Sequence, residues 1–147
     1  MGLDGQWADT LLAAEQLHLL KLSAWAALSI VVGTALVTAL RVRRVDSPLV
    51  THFAIQCATW GLVDLAIVLW ARRGLALRDL AGAVALDRFL WLNIGLDLGY
   101  VLVGATLALL GWRLGRRLGL VGAGLGVVVQ GLALTLLDLQ LSAQVLR

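Results

Sequence analysis

One cysteine, one proline, one methionine, one tyrosine and two histidines occur in the 147 residues, and only 14% of the chain is charged. A single thiol, Cys57, excludes a disulfide framework and any cysteine-rich metal motif. The two histidines, His18 and His52, belong to opposite ends of the hydrophobic runs and cannot clamp one haem iron. No glycine-rich phosphate loop, nucleophile elbow or two-histidine-plus-acid metal motif is present, so neither a metal nor a cofactor is expected. "EQLH" has the Glu-x-x-His spacing of di-iron bundles, but it occurs once, where such sites need it twice. The opening stretch "MGLDGQWADT" lacks a positively charged region before its first apolar run, so no cleavable signal peptide is expected.

What the chain has in excess is apolar surface. It is 61% hydrophobic, with a mean hydropathy of +0.92. A soluble globule of one domain could not bury that much, so the expected solvent is lipid. Four runs have roughly the 20 residues that a 30 Å hydrocarbon core requires, at about 22–40, 50–71, 89–112 and 118–141. The expected fold is all-α: one polytopic membrane domain, an antiparallel bundle of four transmembrane helices made from two hairpins. Pro48 sits just before the second run, where its missing N–H does least harm. A helical segment over about 8–21 precedes the first run, with Asp9 or Thr10 as its N-cap. It either extends that helix or lies on the membrane surface. Between the second and third runs, Leu77, Leu80, Ala81 and Val84 follow helical spacing, which predicts a short interfacial amphipathic helix over about 75–87.

The net charge of +3 comes from arginines in clusters: Arg41, Arg43 and Arg44; Arg72 and Arg73; Arg113, Arg116 and Arg117. Each cluster falls where an apolar run ends, which fits helix flanks at lipid headgroups rather than nucleic-acid binding. "QCATWGLVD" and "QGLALTLLD" share a Gln-x7-Asp pattern, and the runs before them also resemble each other. An internal duplication with a pseudo-two-fold along the membrane normal is one reading of this.

The scarce polar residues form stripes. Gln56, Trp60 and Asp64 keep to one face of the second run; Asn93, Asp97 and Tyr100 to one face of the third; Gln130 and Asp138 to one face of the fourth. Glu15, His18 and Trp25 share a face in and before the first. All the acids approach the same leaflet, with Asp64 roughly 10 Å inside it at 1.5 Å per residue. Two readings of these acids stand side by side. Buried carboxyls mark ligand, cation or proton sites in membranes. They also serve as plain packing, held by Asn, Gln, Tyr or Trp donors or by Lys21, Arg73 or Arg88 reaching in.

Trp7, Trp70, Trp91 and Trp112 have the positions of interfacial anchors, whereas Trp25 and Trp60 lie deeper and are placed to wall a pocket. Gly95/Gly99, Gly111/Gly115/Gly119 and Gly122/Gly126 have the spacing of close helix contacts, within the bundle, in a homo-oligomer or in a larger membrane complex. In length the chain is similar to small multidrug transporters. Those carry a glutamate inside the first span, and Leu22 to Leu40 contains no acid, so no membership follows. The arginine-dense turns place 41–49 and 113–117 in the cytoplasm and both termini outside. The lysine-poor composition suggests a bacterial inner membrane.

The expected function is binding or translocation of a cation, a proton or a small polar or cationic ligand in an acidic, tryptophan-lined pocket near one leaflet. Asp64, Asp97 and Asp138 would supply charge; Asn93, Gln56, Gln130 and Tyr100 would orient the ligand, with Trp60, Trp25, Glu15 and His18 around it. The alternative is a non-catalytic accessory subunit whose polar core only fixes helix packing, and an enzyme comes third.

Overall fold

The computed structural model describes residues 3–145. Helices make up nearly all of it: α1 (Leu3–Arg43), α2 (Pro48–Ala71), α3 (Leu80–Arg113) and α4 (Leu118–Val145), with a 3-10 turn at Arg72–Gly74. All four are long and apolar enough to cross a membrane. Each of the expected runs falls within one of these helices.

Of the two readings of residues 8–21, the structure has the extension: α1 is one uninterrupted helix of 41 residues, because nothing between Trp7 and Arg43 breaks it. One local expectation resolves differently, since no separate interfacial helix covers 75–87. Residues 75–79 have no regular secondary structure, Asp79 caps the next helix by accepting from the Gly82 N–H at 2.8 Å, and α3 then runs through without a break. Its first turns are held by packing: Ala83 and Leu90 join Leu11, Leu141 and Val145 in a buried cluster, with Trp7 and Leu86 against it. The stripe of Leu77, Leu80, Ala81 and Val84 is not the face that packs: Leu77 and Leu80 stay exposed, and Ala83, Leu86 and Leu90 turn inward instead.

Helix ends follow local chemistry. Pro48 occupies the first turn of α2, where no intrahelical donor is needed. The tight turns pass through left-handed backbone at Arg44 (φ 53°) and at Gly115 and Arg116 (φ 77° and 54°). Arg116 lies 5.0 Å over the Trp112 ring, a cation–π contact beside that turn.

α4 is the central helix. It packs extensively on α3 and α2 and touches α1, while α1 otherwise rests on α2. Its glycines explain this position, because they let neighbouring backbones approach. Gly122 faces Leu49 and Gly126 faces Gln56, both on α2. Gly124 faces Gly104 and Ala108, and Gly131 faces Val101, all on α3. On the other side of α2, Gly33 of α1 meets Ala54 and Ala58, while Gly61 meets Ala26 and Ile30. By contrast, the α2 and α3 backbones do not pack closely on each other. That gap positions the site.

Candidate functional site

Between α2 and α3 lies a cleft of about 700 Å³, backed by α1 and α4 and bounded at one end by the 73–78 linker. Its walls are mostly apolar. The helices contribute the polar residues whose stripes follow from helical spacing: Glu15 and His18 from α1, Asp64 from α2, Asn93, Asp97 and Tyr100 from α3, and Asp138 from α4, while the linker adds Arg73 and Arg78. Trp60 is also in the wall, and its ring packs at 58° against Tyr100 with centroids 5.3 Å apart, bridging the gap between α2 and α3.

Three of the sequence candidates stand elsewhere. Gln56 does not reach the cleft; it lies two turns before Asp64 and packs on Gly126. Trp25 and Gln130 are outside its lining and act from behind. The Trp25 indole donates to Gln130 Oε1 at 3.0 Å, and Gln130 Nε2 donates in turn to Asp64 Oδ2. A Trp–Gln–Asp chain across α1, α4 and α2 thus fixes one oxygen of Asp64. Sequence pattern finds each helix's polar face, but not which polar residue ends up behind another.

The acids are compensated unequally. Glu15, 6% exposed, accepts two hydrogen bonds from Arg78, at 2.6 Å from Nε and 2.8 Å from the guanidinium end. This two-pronged geometry is the strongest that arginine makes with a carboxylate. The same bonds raise the Arg78 pKa above its already high value, so the guanidinium stays charged. Asp138 has His18 at 3.5 Å. Asp64 and Asp97, 1% and 5% exposed, are each left with one buried carboxylate oxygen that has no hydrogen-bond partner. Asn93 supplies no donor to them, because its amide bonds back to the Phe89 carbonyl at 2.9 Å.

Arg78 is the residue that sequence reasoning missed. The cations named as candidates do other things: Lys21 donates to Gln140, Arg73 lines the cleft near the linker, and Arg88 is exposed. Arg78 stands 63 positions from Glu15 on a non-helical link, where no periodicity could pair them. Arg78→Ala should therefore strand Glu15. Breaking a buried ion pair costs about 3–5 kcal/mol; with the arginine 30% exposed, about 1–2 kcal/mol is expected. Melting followed by circular dichroism should show the loss, and Arg78→Ala with Glu15→Gln should recover most of it.

Among the described residues, no three His, Cys, Asp or Glu side chains converge closely enough to hold a metal ion. The cleft can instead place negative charge in apolar surroundings. Fold and site together define an all-α protein whose four long apolar helices surround an acid-lined cleft. The chain belongs to a family described as "Family of unknown function (DUF6992)", whose model matches residues 21–139. Asp64, Asp97 and Asp138 lie inside that stretch, whereas Glu15 and His18 precede it. No curated protein matches the chain, and no solved structure does.

Proposed function

We propose that the chain is an integral membrane protein, an antiparallel four-helix bundle that binds a cation or small cationic ligand in the cleft between α2 and α3. Membrane insertion is supported by apolar exposure all around the bundle. Leu28 and Val31, Leu62 and Leu69, Leu92 and Leu102, and Leu132 and Leu136 are between 46% and 69% exposed. Such a belt has no place in water. The antiparallel arrangement is supported by register: the α1 contacts of α2 move from Gly33 back to Ala26 as α2 advances from Ala54 to Gly61. The two arginine-rich turns share one end, since His52 and Leu49 sit against Gly119 and Gly122, and that end is assigned to the cytoplasm of a bacterial inner membrane. Single cysteines at Val45 and Leu114, in a Cys57→Ala background, should react from one side of sealed vesicles, and those at Leu80 and Gln144 from the other. Labelling of Leu80 and Leu114 from the same side would overturn the four-span topology.

The binding reading is carried by one observation. Asp64 and Asp97 each keep a buried carboxylate oxygen without a donor in the wall of a large, mostly apolar cleft. A register-fixing carboxyl would be saturated by its neighbours, as Glu15 is. Translocation follows if the cleft opens to the arginine-bearing end as well. The test is thermal stabilisation of the purified bundle across a panel of inorganic cations, small amines and lipophilic cations. At least one class should raise the melting temperature of the wild type, and a panel that never shifts it would overturn the reading. An accessory-subunit role draws on a separate observation: Gly95 and Gly99 have nothing packed against them and offer α3 to another helix. Such a subunit would copurify with a stoichiometric partner.

A further inference from the structure

We propose that the cleft's ligand is an amphiphile: a protonated amine with N–H donors, carrying one apolar chain and taken up sideways from the bilayer between α2 and α3. This rests on the cation-binding reading above and names the class of ligand.

The head group follows from what is left unpaired. Arg78 occupies Glu15 with two hydrogen bonds, and His18 stands 3.5 Å from Asp138, an ion pair only when the imidazole is protonated. Asp64 and Asp97 remain, one on each side of the gap, each with an oxygen lacking a donor. Rotation about the broad terminal torsion of an aspartate presents such an oxygen to the cleft. A quaternary ammonium supplies charge but no N–H, and it would leave both oxygens unsatisfied. A primary ammonium has three N–H groups and bridges two carboxylates. An inorganic ion is disfavoured by size and by donors: the space is about 700 Å³, and no three ligating side chains converge in the described residues.

The tail follows from the shape. Trp60 and Tyr100 lie one turn beyond the two aspartates on their helices and bridge the gap there. From the aspartates the cleft runs the other way, towards the linker. Ile67 and Trp70 form one lip and Phe89 the other, with Leu90 in the floor, over roughly 10 Å at 1.5 Å per residue. Ile67, Trp70 and Phe89 are 47%, 70% and 54% exposed, so in a bilayer this side of the slot opens onto acyl chains. The head therefore sits between Asp64 and Asp97, with the chain lying along the slot.

The experiment uses the full chain in phosphatidylcholine nanodiscs, with dodecylamine, dodecyltrimethylammonium, butylamine and dodecanol as probes in thermal-shift and calorimetric titrations. Dodecylamine should stabilise the protein and saturate. The trimethyl and butyl analogues should bind about tenfold more weakly or less, each having lost at least about 1.4 kcal/mol of contact. Dodecanol should not saturate. Asp97→Asn should abolish the dodecylamine effect while the circular-dichroism spectrum stays helical, and Ile67→Ser should weaken dodecylamine but not butylamine. Equal binding of dodecylamine and dodecyltrimethylammonium would overturn the amine head, and equal binding of dodecylamine and butylamine would overturn the chain slot. In both cases the cation site itself survives. Binding of none of the three cations would overturn the amphiphile proposal, and the cation reading with it if the inorganic panel is also silent.

Discussion

Gly124→Val is expected to lower the stability of the bundle more than any other single change considered above. A Cβ at this position would meet the Ala108 amide nitrogen at 2.6 Å and its Cα at 3.1 Å, besides the Gly104 carbonyl. All three are backbone atoms of α3 and cannot swing aside as a side-chain tip would. The two helices must then move apart along their contact. Overpacking typically costs about 1–3 kcal/mol, and a rigid backbone neighbour puts this case at the upper end. Gly124→Ala should show most of the effect, because the Cβ alone makes the collision. Gly95→Val is the control. Nothing lies within 4 Å of its added Cβ, so the melting temperature should stay near wild type unless a partner helix is bound there. Equal losses at Gly124 and Gly95 would show that close packing on α3 is not what is being measured, since replacing a helical glycine raises helix propensity at both positions.

That contrast also shows how far a sequence of this kind can be read. The helices were legible because long apolar runs, their arginine flanks and the Pro48 turn are local signals. The inward-facing stripes were legible because residues three or four apart share a face; Glu15, His18, Asp64, Asn93, Asp97, Tyr100 and Asp138 reach one cleft for that reason. Partner choice was not legible. Glycine spacing marked Gly95/Gly99 and Gly122/Gly126 alike as contacts, yet one pair faces open space and the other faces α2. Which glycine is used depends on how each helix rotates against its neighbours, a global property. The same holds for depth within a stripe: Gln56 and Gln130 occupy matching places in two similar motifs, but only Gln130 meets Asp64. Arg78 was hidden because its segment looks amphipathic when taken alone, while its function there is set by Glu15 on a distant helix.

Asp64 separates the two meanings a buried carboxylate can have, and three substitutions should resolve them. Asp64→Asn preserves the shape and an oxygen able to accept from Gln130, so the Trp25–Gln130 link survives and the fold should be nearly as stable as wild type. It removes the charge and turns one acceptor into a donor. Stabilisation by a cationic ligand should therefore vanish. Asp64→Leu keeps the branched outline but strands the Gln130 amide, which is 4% exposed. An unsatisfied buried donor costs about 1–3 kcal/mol. Adding Gln130→Leu removes the stranded group as well, and replacing both partners by apolar ones is close to neutral. The double variant should recover most of the loss, short of what Trp25 forfeits when its own acceptor goes. Folding and binding then report separately. A binding aspartate gives a stable Asn variant blind to ligand, a fragile Leu variant, and a recovered double variant equally blind. If Asp64→Asn keeps the ligand-induced shift of the wild type, the aspartate is only a fastening between α2 and α4, and the cation must be held by Asp97 or by another group in the cleft.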